Sequence, residues 1–181
     1  MNLTLRLARL YLPTGLRKRK LEELLQLTAR AFDAAPPSVE GLSLEEMRRR
    51  YAEFSREMAE RASGRPKGLT TIKHHLFDEA LRLGREIARE LGVSTLQEAM
   101  TAARILYRNL DIDFQGDRQG DIVIRHCFFS RQYSPQVCRL MSSLDAGILS
   151  GLAGGGDLEF TERLTEGASC CRAHFSFPEA D

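Results

Sequence analysis

The sequence predicts an α+β fold, in which a helix-rich N-terminal part packs on a small antiparallel sheet. Three observations lead there. Apolar residues recur at spacings of three and four as far as residue 110. Short alternating segments broken by glycine-containing turns follow. Ser134-Pro135 then opens one more helix between two hairpins. The expected order is four helices, a hairpin, a helix and a second hairpin, in a single domain over 1–181 with a helical part (1–110) and a sheet part (111–181).

Each element has its own signal. Leu21, Leu24, Leu25, Thr28 and Phe32 mark one face of a first helix that stops before Pro36-Pro37. Ser43 and Glu46 form a capping box for a second helix, striped by Leu44, Met47, Tyr51, Phe54 and Met58 and ended by Gly64. The stretch 64–68, with Pro66, reads as an exposed loop. Ile72, Leu76, Ala80, Leu83, Ile87 and Leu91 stripe a third helix that Gly92 ends. Ser94 and Gln97 begin a fourth, carrying Leu96, Met100, Ala103, Leu106 and Leu110. These are core stripes. His74 and His75 point about 100° apart on a helix and do not chelate one ion together. Ile112-Asp113-Phe114 and Ile122-Val123-Ile124 flank a turn and form the first hairpin. The fifth helix runs from Ser134-Pro135 to the Gly154-Gly155-Gly156 break, and strands over 158–164 and 170–177 complete the chain. The triple glycine lacks the strand-before, helix-after context of a phosphate loop.

Composition narrows the function. The chain has 181 residues, 43% hydrophobic and 28% charged, with a formal net charge of +1. That balance argues against a general nucleic-acid binder. Arg17-Lys18-Arg19-Lys20 reads as a solvated helix entry. No apolar stretch reaches the ~20 residues of a transmembrane helix, and the leucines of 3–12 are interrupted by Arg6 and Arg9 rather than forming a signal-peptide core. The expectation is a cytoplasmic protein with neither membrane nor nucleic acid as partner. The four cysteines, Cys127, Cys138, Cys170 and Cys171, all fall in the last third of the chain. That distribution suggests free thiols, a metal site or a nucleophile rather than a secreted disulfide framework.

The chemistry-bearing residues gather in the same segment. Cys138, Ser142 and Asp145, spaced by four and three, stack along one face of the fifth helix. Glu162 shares a strand face with Leu158, Phe160 and Leu164, so regular alternation turns its carboxylate inward, where it needs a partner, a cation or a raised pKa. Cys171 lies on the apolar face of the last strand with Ala173, Phe175 and Phe177, and a regular hairpin sets it opposite Glu162, with Cys170 and His174 on the other face. Cys138, Glu162 and Cys171, with Cys127 or Asp145 as a fourth, suit zinc or another divalent metal. The same groups equally suit a nucleophile, a base and an orienting residue. In the plainest alternative Glu162 pairs with a lysine or arginine and the thiols are inert.

Cys127-Phe128-Phe129, Cys138, Asp145-Ala146, the glycine break, Gly167, Cys171 and Phe175 together resemble the L-2-amino-thiazoline-4-carboxylic acid hydrolase family. The stretch is also similar to 4-vinyl-reductase-type small-molecule-binding domains, which share the fold of the TRAPP tethering subunits. The resemblance covers the last third of the chain. It implies that Cys138, Glu162 and Cys171 match three of four zinc-holding positions, the fourth being Thr165 here. Three protein ligands and an open position imply a catalytic metal. The implied activity is hydrolytic opening of a small cyclic C–N/C–S compound, with Asp145, Glu162 and Cys171 as catalytic residues. The alternative is a non-catalytic small-molecule-binding domain with structural zinc. The apolar surface of Tyr51, Phe54, Met58 and residues 3–12 adds the expectation of a homodimer.

Overall fold

Helices and sheet segregate as expected in a computed structural model that describes residues 3–64 and 68–177. Helices α1 (Leu3–Leu10), α2 (Thr14–Ala31), α3 (Leu44–Ser63), α4 (Leu69–Leu91) and α5 (Leu96–Asn109) precede the hairpin β1 (Ile112–Gly116) and β2 (Asp121–Cys127). Helix α6 (Pro135–Ala153) and strands β3 (Asp157–Glu162) and β4 (Cys171–Ser176) follow. The strands form one antiparallel sheet in the order β1-β2-β4-β3. The fold is therefore α+β. Most of the loop expected at 64–68 lies outside the described residues.

The local signals act as their chemistry requires. Ser43 and Glu46 make both hydrogen bonds of the capping box on α3. Gly92 ends α4 in the left-handed region at φ 63°, which a residue with a Cβ adopts only at a cost. Ser134 caps α6 through the Val137 N–H. At α5 the cap is Thr95, which accepts from the Glu98 N–H, while Ser94 donates to the Glu98 carboxylate. Helix α1 is an addition to the expected order. His74 and His75 are both exposed.

Helix α6 is the axis of the molecule. It meets α4 through glycines, so the two backbones nearly touch. A Cβ on Gly84 would lie 2.4 Å from the Ile148 carbonyl, one on Gly147 2.3 Å from the Phe77 carbonyl, and one on Gly151 2.4 Å from the Leu81 carbonyl. One apolar core joins both parts of the chain, from Leu5 through Leu76, Met100 and Ile148 to Phe175. The sheet turns Phe114, Ile122, Ile124, Ala173 and Phe175 into it.

Two expectations change here. Tyr51 and Phe54 are buried within the chain itself, because α3 packs against α2 and α6, so they offer no surface to a second copy. Cys170 is buried rather than outward-facing, since it precedes β4 in a bend instead of continuing the strand's alternation.

Candidate active site

The expected pairing of Glu162 with Cys171 is not made. Phe160 pairs with Ala173, but Glu162 pairs with Arg172, so β3 uses two residues where β4 uses one. The extra residue is a bulge, which resets the alternation of side chains. Thr161 and Glu162 both face solvent, and the Glu162 carboxylate lies 3.5 Å from the Arg172 guanidinium. The inward position passes to Arg163, whose side chain is 13% exposed.

Arg163 reaches the face of α6 that the sequence singled out. It donates to Ser142 Oγ at 2.7 Å and to Cys138 Sγ at 3.8 Å, and it lies 4.1 Å from the centre of the Phe160 ring. Glu166 approaches its Nε at 4.0 Å. A guanidinium therefore stands beside Cys138 where a metal ion was expected. Cys171 is buried, and its Sγ accepts the Leu164 N–H at 3.4 Å. Among the described residues no three His, Cys, Asp or Glu side chains converge closely enough to hold a metal ion. The bulge keeps Glu162 apart from Cys138 and Cys171, because its carboxylate turns to the surface beside Arg172 while Arg163 takes the inward place next to Cys138.

Asp145 is the residue the fold places most tellingly. It lies on the wall of a pocket of about 90 Å³, together with Cys127, Cys138, Ser142 and three tyrosines, Tyr51, Tyr107 and Tyr133. The carboxyl is deep in the protein, yet the residue keeps some accessible surface, because that surface faces the pocket. Burial pushes its pKa up to about 6, opposed by a hydrogen bond from Tyr107 and by the nearby charge of Arg163. Tyr107 donates to Asp145 Oδ1 at 2.6 Å, and its ring stacks on Phe114 at 4.9 Å. The other tyrosines are anchored as well, Tyr51 against Thr28 and Tyr133 against Ser55. Burial raises all three phenols, so they are neutral donors at physiological pH. Burial also pushes the Cys127 thiol up to about 12 and raises that of Cys171, so both are protonated at neutral pH.

Arg163 and the tyrosines were missed in the sequence. Arg163 is legible only with the bulge in hand. The tyrosines did leave a signal: a tyrosine within a core stripe, as Tyr51 is, needs a polar partner for its hydroxyl.

The fold and site thus define an α+β protein with a small, largely apolar pocket around one buried carboxyl. In comparisons with known proteins, no family model, no curated protein and no solved structure matches the chain.

Proposed function

We propose that the chain is a hydrolase for a compact polar small molecule seated in this pocket, opening a C–N or C–S bond. The observation that carries the reading is Asp145, a carboxyl with a pKa of about 6 on the wall of a pocket. Above that pH it is ionised and acts as general base. It removes a proton from water, the hydroxide oxygen bonds to the electrophilic carbon, and the proton passes to the departing nitrogen or sulfur. Tyr107 holds one carboxylate oxygen and so orients the other. Arg163, behind Ser142 and Cys138, supplies positive potential that favours the ionised base. The small volume suits a molecule of few heavy atoms, since pockets for drug-sized ligands span roughly 300–1,000 Å³.

The test substrate is L-2-amino-thiazoline-4-carboxylic acid, the ring the resemblance implies. Mass spectrometry should show a product heavier by one water. Asp145→Asn should cut the rate at least about 100-fold while the fold is kept. A second reading, non-catalytic binding of a small molecule, draws on the apolar wall contributed by Leu24, Leu110, Ile112 and Ile148. Saturable binding of the ring without turnover would select it.

A further inference from the structure

The first 20 residues contain Arg6, Arg9, Arg17, Lys18, Arg19 and Lys20 and no acidic residue. The chain's net +1 is therefore +6 here and −5 elsewhere. Part of this charge is answered locally: Arg19 pairs with Glu23, and Lys20 with Glu23 and Glu90. Arg17 instead donates to a neutral acceptor, Asn109 Oδ1 at 2.9 Å, which does not cancel its charge, while Lys18 donates to the Leu42 carbonyl at 2.6 Å and is answered in part by the Glu46 carboxylate.

The same stretch carries the most exposed large apolar side chains among the described residues. Leu5, Ala8 and Leu12 lay one face of α1 and its extension on the core. Leu7, Leu10 and Tyr11 occupy the opposite face, 58%, 78% and 72% exposed. Their spacing of three, then one, groups them on one side, and the Tyr11 N–H still bonds to the Leu7 carbonyl, so the helical turn includes all three. Arg6 is exposed beside them.

We propose that this face of α1, with the basic entry into α2, docks on an anionic lipid surface and lies in its headgroup region. Apolar side chains beside an exposed cation on a short helix, followed by further cations at the entry of the next, are what such an interface recognises. Charge complementarity selects lipid over a second copy, because the same stretch of a second copy brings further cations and no acidic residue to meet them. The three apolar side chains select it over nucleic acid, whose phosphates would engage only the arginines and lysines. No helix among the described residues is long and apolar enough to cross a membrane, so the contact is one of lying on the surface. The proposal departs from the sequence expectation that no membrane is a partner, and it is independent of the chemistry in the pocket.

The experiment is co-sedimentation of the full chain with phosphatidylglycerol-containing vesicles and with pure phosphatidylcholine vesicles, alongside lipid-free sedimentation velocity. Binding should favour the anionic vesicles and weaken with added salt. Leu10→Asp should lower it at least about tenfold, and Arg6→Gln about fivefold. Both residues are exposed, so both variants should melt as the wild type does. Three results would each overturn the proposal: absent or equal binding to the two vesicles, binding untouched by Leu10→Asp, or a lipid-free dimer that Leu10→Asp dissociates.

Discussion

Asp145 and Arg163 set the charge at the pocket, where burial raises the carboxyl to a pKa of about 6 and the guanidinium opposes that rise. Asp145 was legible because helix periodicity is robust: its spacing from Cys138 and Ser142 fixes a shared face whatever the neighbouring elements do. Glu162 was misplaced because a strand's alternation fails completely at a single inserted residue, and Arg163 inherited its position. The consequence is testable in pH profiles. With Asp145 as the base, kcat/KM should rise with pH through about 6 and then level off. Arg163 lowers that pKa, so Arg163→Met should move the acid limb to higher pH in addition to slowing the reaction. An unshifted limb would show that Arg163 acts by packing alone. Glu162→Gln, at an exposed surface pair, should leave activity within about twofold and stability within about 0.5 kcal/mol of wild type.

At the level of elements, helix boundaries were readable because capping and stop signals are local. Ser43 with Glu46, Ser134 with Pro135, and Gly92 all act where they stand in the chain. What local signals do not reveal is which faces meet. Gly84, Gly147 and Gly151 are the contact by which α4 and α6 approach, and no local signal in either helix announces that pairing. That approach fixes α6, and with it the position of Asp145. Replacing Gly84 with Ala drives a methyl group against the Ile148 carbonyl, a backbone atom that does not rotate away. The expected loss is about 1–3 kcal/mol, read from urea unfolding. The same exchange at Gly15, where a Cβ meets nothing within 4 Å, should be harmless in the first turn of α2.

The pocket belongs to the whole molecule, since its wall draws Leu24 from α2, Tyr51 from α3, Tyr107 from α5, Cys127 from β2 and Asp145 from α6. No segment of sequence contains it, which is why its tyrosines escaped a reading made element by element. Its cost is also carried by the whole fold. Asp145 has an ordinary carboxyl value of 3.8 when unfolded and about 6 when folded, so between those values the folded chain binds the extra proton. Stability therefore falls as pH rises from about 4 to about 6, and the ionised carboxylate costs on the order of 3 kcal/mol above that window. Asparagine keeps the acceptor for Tyr107 but never ionises. Asp145→Asn should match the wild type near pH 4 and exceed its stability by a few kcal/mol near pH 8, in paired urea titrations. A residue kept at such a cost is characteristic of an active site, where function opposes stability. If the wild type proves the more stable at pH 8, the carboxylate is instead a structural anchor for Tyr107 and Arg163, and the proposed base loses its support.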